Sequence, residues 1–276
     1  MLLPSAPSTG FAGRGRAGGA GQPEVDTEGV DISNVQARFV NSGDRALVVE
    51  FGDVVDRALN DRVLALDAHL KSAAIPGVVE TVPTFRSLMV HYDPLRTGAA
   101  DLTRTIEGLL GSVGALDRQP RTWRFPVCYE GECAPDLEDV AKRTGLTPDR
   151  VVALHNAATY HVYMIGFLPG FPYMGDIAEE LRLPRRENPR VRVPRGSVAI
   201  AMNQTAIYAL ESPGGWHLIG TTPVRLFDLT RDDPALLAAG DKVVFDPVDA
   251  KTFAEMRAAA DAGKLDIRPE AKGAAS

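Results

Sequence analysis

The sequence predicts an α+β domain followed by a closed or nearly closed β-barrel, and three observations carry that reading. Through residues 35–110 the elements come in the order β-β-α-β-β-α, which suits helices laid over one face of a sheet. From residue 160 onward, short β-type runs alternate with Gly and Pro punctuation. A chain of 276 residues with 45% hydrophobic content is also long enough to bury two ordinary cores.

The elements follow in order. Runs at 35–40 and 46–51 are joined by Asn41-Ser42-Gly43-Asp44, a polar turn with Gly available for positive φ, and read as a hairpin. Leu59, Val63, Leu66 and Leu70 recur at helical spacing and predict a helix over 56–73, ended by Ile75-Pro76-Gly77. Strands are expected at 78–83 and 87–92, then a helix over 99–110. The second domain opens with a strand at 122–129, after which Asp136 is placed to cap a helix, with Asp139 in a capping-box-like position. Thr147 as N-cap and Pro148 at the first helical position announce another helix to about residue 158. Strands at 160–165, 197–201, 206–210, 224–229 and 242–247 and a terminal helix over 252–260 complete the series. The expected division is 35–118 for the α+β domain and 119–262 for the barrel, with tails at 1–34 and 263–276. The first tail is rich in Gly, Ala, Ser and Pro, lacks the apolar core of a signal peptide and is expected to be disordered.

Thirty basic against thirty-six acidic side chains give a formal charge of −6 without a long basic run, so nucleic acid is not an expected partner. No stretch reaches the ~18 apolar residues of a membrane span. Cys128 and Cys133 lack the paired spacing of a zinc site or a disulfide framework, so no metal is expected, and they read as reduced thiols of a cytoplasmic protein. A Walker-type loop, a GxSxG elbow and an HExxH helix are all missing, which implies that any chemistry needs a partner chain.

Two loop-forming blocks, MIGFLPGFPYMG at 164–175 and ESPGGWHLIGTT at 211–222, flank the strand-like run RVPRGSVAIAMNQTAIYAL. Rings interleaved with Gly and Pro suit either a built pocket or aromatic-plugged barrel corners. The four rings Phe167, Phe171, Tyr173 and Trp216 are expected at an exposed face that is covered by a second protein of a heteromer. Within this region His217 either sits where an imidazole can exchange a proton with a ligand or is a satisfied structural histidine. Gln204 and Tyr208, four residues apart, share a strand face with the small Ala206 between them. That leaves either a hollow suited to an amide, lactam or urea-like group, or a cross-strand pair at a barrel rim. Arg185, Arg186, Arg190, Arg192 and Arg195 form a basic cluster able to hold carboxylate or phosphate, or simply a solvated surface.

The motifs GFLPGFPYMG, VPRGSVAIAMNQTAIY and ESPGGWHLIGTTP, in that order, with PVCYEGECAPDLEDVA upstream, resemble a known signature over residues 35–248. It is that of the family of allophanate hydrolase subunit 1 and the B subunit of bacterial 5-oxoprolinase. The resemblance implies a cyclophilin-like barrel behind the α+β domain. It also implies two partners, a homologous C-type 5-oxoprolinase subunit (the allophanate hydrolase subunit 2 type) together with an A-type one. Its implied activity is the ATP-dependent opening of 5-oxoproline to L-glutamate. On that reading His217, Gln204 and Tyr208 are the catalytic residues, and Arg195, Tyr173, Glu211 and Trp216 bind substrate. Two alternatives come with the family: biotin-dependent carboxyl transfer to urea or an amide, and non-enzymatic inhibition of a sensor histidine kinase. Where the family often has Gly near Met202 and at Ala206, Pro at Ala209 and Arg at Thr221, this sequence departs from it.

Overall fold

In the computed structural model, residues 36–110 and 119–270 are described; the expected disordered tail and the last residues of the C-terminal one lie outside them. β1 (Arg38–Ser42) and β2 (Ala46–Glu50) form the hairpin, with Gly43 at a φ of 67° in the turn. α1 (Arg57–Ala73), β3 (Val78–Pro83), β4 (Ser87–Tyr92) and α2 (Ala99–Leu110) follow, and the strands lie in the order β1-β2-β4-β3. The Asp56 carboxylate accepts from the Ala58 and Leu59 N–H groups and starts α1. Leu59, Val63, Leu66 and Leu70 then bury against Leu47, Val49 and Val90 of the sheet and Leu102 and Ile106 of α2.

The second layer comprises β5 (Thr122–Cys128), α3 (Leu137–Thr144), α4 (Pro148–Ala157), β6 (Tyr160–Ile165), β7 (Pro172–Gly175), β8 (Arg190–Val193), β9 (Ser197–Ala201), β10 (Gln204–Ile207), β11 (Ser212–Gly214), β12 (His217–Thr221), β13 (Lys242–Val248) and α5 (Ala250–Asp261). Seven strands close into a barrel, β10-β7-β6-β13-β5-β12-β9, and β8 pairs with β11 as a separate ribbon. All contacts within the barrel are antiparallel except β13 on β5, which runs parallel over seven residue pairs. Every residue of β9 is buried. The architecture is thus an α+β layer followed by a cyclophilin-like barrel.

Three local expectations are corrected. Residues 224–229 are not a strand. Val224 and Leu226 are buried, but the backbone folds on its own neighbourhood, with Leu236 N–H donating to the Leu226 carbonyl and Asp228 N–H to that of Pro234. Conversely, the two blocks read as loops contain β7, β11 and β12. Their glycines serve close packing: a Cβ at Gly220 would lie 2.7 Å from Val127 Cγ1, and one at Gly175 2.8 Å from the Tyr163 ring. The Asp136 side chain makes no capping bond to α3, because it is turned to arginines instead.

Asn60 of α1, fully buried, joins the two layers. Its amide nitrogen donates to the carbonyls of Thr84 (2.9 Å), Phe85 (3.2 Å) and Tyr163 (3.1 Å), and its oxygen accepts from His161 Nε2 (2.8 Å). Burial, with Arg57 and Lys242 nearby, pulls the His161 imidazole down to about 4, so it stays neutral and serves as a hydrogen-bonding strut. Replacing Asn60 by alanine strands these groups and should cost roughly 1–3 kcal/mol in urea denaturation. A loss within experimental error would show that the junction is held by apolar contacts alone.

Candidate functional site

The rings of the two blocks meet at one place. Phe171 lies 5.2 Å from Tyr208, 5.0 Å from Tyr173 and 6.4 Å from Trp216, and Tyr173 lies 6.0 Å from Trp216. Phe85 of the first layer closes on Tyr173 at 5.8 Å. Most of these contacts are edge-to-face, the arrangement favoured by ring quadrupoles. Phe171 and Trp216 are buried within the chain itself, Tyr173 is half-buried and Phe167 alone of the four is 62% exposed. The expected exposed face of four rings is therefore corrected to one exposed ring over a packed cluster.

Arg185 supplies the charge. Its guanidinium lies over the Trp216 ring, 6.0 Å from the centroid, and makes no ion pair with a described residue. The rest of the expected basic cluster is ion-paired: Arg186 and Arg190 share Asp136, Arg192 pairs with Glu211, and Arg195 pairs with Asp261.

His217 is a residue of β12, not of a loop, and is fully buried. Its Nε2 lies 2.9 Å from the Pro184 carbonyl. A carbonyl can only accept, so Nε2 carries the proton, and Nδ1, buried without a partner, carries the lone pair. Arg186 N–H also donates to the Gly215 carbonyl at 2.8 Å. These two bonds strap residues 184–186 to 215–217, and Arg185 stands between them.

Tyr208 lies just past the end of β10, and a Cβ at Gly214 would run into its hydroxyl, so glycine is required there. Burial raises the Tyr208 phenol, against a backbone hydrogen bond at Trp216 that lowers it, and burial likewise raises Tyr173; both stay neutral hydrogen-bonding groups. Gln204 is half-buried at the head of β10, and no hydrogen bond joins its side chain to Tyr208 or His217. The structure thus brings together Tyr173, Tyr208 and Trp216, ties His217 to their support, and places Arg195 and Glu211 in ion pairs elsewhere. Arg185 and Phe171 were not among the expected site residues. Arg185 was legible only as one cation among five.

Two other features compete for attention. A cleft of about 650 Å³ opens between the end of α1 and β3, lined by Leu70, Lys71, Ile75, Val79, Glu80 and Arg96. It gathers no ring or imidazole, and Lys71 already pairs with Asp67, so the aromatic cluster is the stronger site. Burial and the neighbouring Cys128 thiol push the Cys133 thiol up to about 12, which removes it as a thiolate nucleophile near neutral pH. At Met202 φ is 56°, a left-handed backbone that favours glycine.

The profile of the family described as carboxyltransferase domain, subdomain C and D, matches residues 37–237. The B subunit of 5-oxoprolinase from Bacillus subtilis (strain 168) is 38% identical over 230 residues, 79% of this chain and 96% of its own length. Its counterpart from Escherichia coli O157:H7 is 40% identical over 212 residues, 77% and 96% of the two chains. The crystal structure of the protein TTHA0988 superposes with a TM-score of 0.67 at 41% identity over 75% of this chain, which spans 40% of that longer one. Kluyveromyces lactis urea carboxylase matches with a TM-score of 0.71 over 86% of this chain and 24% of its own, at 20% identity, a likeness of fold alone.

Proposed function

The chain belongs to the family of the carboxyltransferase domain, subdomain C and D, and from that premise we propose that it is the B subunit of an ATP-dependent 5-oxoprolinase, opening the lactam of 5-oxoproline to L-glutamate with partner subunits. The observation that carries the proposal is the match to two 5-oxoprolinase B subunits over 96% of their length.

The site suits such a substrate. 5-Oxoproline is a small flat ring bearing a carboxylate, and Arg185 offers a guanidinium without an internal carboxylate over the Trp216 ring, against which Tyr173 packs edge-on. In this reading Arg185 takes the carboxylate, the role expected of Arg195. The half-buried Tyr173 and the edge of Trp216 line one side of the lactam, and Tyr208 and Gln204 supply hydrogen bonds to its amide. His217 acts as a positioning residue, holding Pro184 and hence Arg185, because its one N–H is already committed.

ATP is consumed in the assembled complex, with its site completed by C-type and A-type partners. The partner requirement is supported by TTHA0988, where the matching region occupies only 40% of a longer chain. No helix among the described residues is long and apolar enough to cross a membrane; cytoplasmic action fits the two unpaired cysteines.

The test is reconstitution with the two partner proteins, following glutamate and ADP. Turnover should require 5-oxoproline and all three chains. Activity of this chain alone, or a complex that carboxylates urea with biotin and leaves 5-oxoproline intact, overturns the reading. Within the active complex, Arg185→Ala should raise KM for 5-oxoproline roughly 10- to 100-fold with a smaller change in kcat, the loss expected for a charge-assisted hydrogen-bond pair. Arg185→Lys should recover only part of it, since an ammonium lacks the planar fork.

A further inference from the structure

A second group of arginines lies outside the aromatic site, where the end of α5 meets the β8–β9 turn and the segment after β12. Arg195 Nη2 and Arg225 Nη2 both reach the same oxygen of Asp261, at 3.2 and 3.1 Å. Arg257, one helical turn before Asp261 on α5, makes no hydrogen bond or ion pair with any described residue. It rests on the Phe253 ring, 5.3 Å from the centroid. The Nε–H groups of Arg225 and Arg257 are buried without an acceptor. Burial, and then the charge of Arg195, make the Arg257 cation harder to hold, with Arg225 adding to the repulsion and Asp261 opposing it.

The charges do not balance. Two guanidiniums share one oxygen of Asp261 and a third, Arg257, lies beside them outside that pairing, while the other carboxylate near Arg225, Asp228, is held by the N–H and hydroxyl of Thr230. An unpaired cation at a half-buried position is costly unless a counter-ion joins it. The group remains open to solvent, with the Arg195, Arg225 and Asp261 side chains 28%, 34% and 53% exposed. The β8–β9 turn comes close to this group at Gly196, where the φ of 86° and a Cβ position that would clash with the Thr222 carbonyl oxygen require glycine, and the same Cβ would be in van der Waals contact, 3.5 Å, with Arg257 Nη2.

We propose that Arg195, Arg225 and Arg257 form a binding site for a phosphate-type oxyanion at the end of α5. A planar carboxylate offers two oxygens, and Asp261 shows the outcome: two arginines share one of them and the third is left out. A tetrahedral anion presents oxygens in three or more directions and can serve three guanidinium forks at once. The site does not depend on the 5-oxoprolinase reading and uses none of the residues assigned to substrate there. Its anion comes either from free phosphate or from a nucleotide's phosphates.

The experiment is calorimetric titration of the full chain, at fixed ionic strength, with inorganic phosphate, ATP and adenosine. Wild type should bind phosphate, and Arg257→Gln should weaken binding at least tenfold. Asp261→Asn, which removes the internal competitor, should tighten it several-fold, an outcome that a general loss of structure cannot produce. ATP binding at least tenfold tighter than phosphate, with adenosine silent, identifies a nucleotide; ATP no tighter than phosphate identifies the free ion. No phosphate binding by wild type, unchanged binding in Arg257→Gln, or weaker binding in Asp261→Asn overturns the site.

Discussion

Replacing Asp136 by alanine is expected to destabilise the chain by about 3–5 kcal/mol, the cost of breaking a buried ion pair by removing one partner. The carboxylate is buried and fully used. Arg190 grips it with two nitrogens, Nη1 to Oδ2 at 2.8 Å and Nη2 to Oδ1 at 2.6 Å. Arg186 Nη1 reaches Oδ1 at 3.1 Å, and Leu218 N–H donates to Oδ2 at 2.7 Å. The Asp136 N–H returns a bond to the Leu218 carbonyl at 3.0 Å. One side chain therefore ties the start of α3 to the middle of β12, to β8 and to the segment carrying Arg185. Urea denaturation measures the loss, and a value under about 1 kcal/mol would mean that solvent replaces the carboxylate at no great cost.

The same group predicts the acid limb of stability. Burial alone would raise the Asp136 carboxyl, but the Arg190 hydrogen bond, the Leu218 N–H and the charges of Arg190 and Arg186 outweigh it and hold the group below its ordinary value of 3.8. A carboxyl whose folded pKa is depressed binds its proton more readily when unfolded. Its stabilisation is present above the unfolded value and is lost as pH falls through the lower folded one. Wild type should therefore lose stability below about pH 4 more steeply than Asp136→Asn, which has no proton to take up there. Parallel acid limbs would assign the acid sensitivity to other carboxyls.

What could be read from the chain depended on the range of the interaction. The α1 helix and its Asp56 cap, the β3 and β4 strands and the Thr147 cap of α4 are local, each written in a few neighbouring residues. β7 and β12 were hidden because Gly175 and Gly220 look like turn residues until Tyr163 and Val127 are seen against them. Segment 224–229 misled in the other direction, since Val224 and Leu226 are buried while the segment pairs through an isolated bridge, Phe227 with Ala235, and joins no sheet. In the site the ring cluster was legible and the cation was not. Five arginines within eleven residues look alike, and which one lacks a carboxylate depends on acidic groups arriving from far along the chain. Asp136 lies 54 residues before Arg190, and Asp261 lies 66 after Arg195.

Trp216→Ala and Phe167→Ala should part company in a way that separates the plug of the barrel from its cover. The Trp216 ring is 5% exposed and packs edge-on to Phe171 and Tyr173, with Arg185 above it. Deleting it opens a cavity the size of an indole among rings that cannot all collapse, and should cost about 3–5 kcal/mol of fold stability. Phe167 is 62% exposed, touches the cluster only through Phe171 at 5.5 Å and sits at a φ of 65°. Its removal should leave unfolding within about 0.5 kcal/mol of wild type. If a partner protein covers this ring, the same change should weaken the complex by at least about 1 kcal/mol, as an exposed aromatic anchor would. Trp216→Ala, in contrast, should show its loss already in the isolated chain, where no partner is present. Equal stability of both variants would mean that the ring cluster does not hold the barrel corner. Unchanged assembly of Phe167→Ala would place the partner's contact elsewhere on the surface.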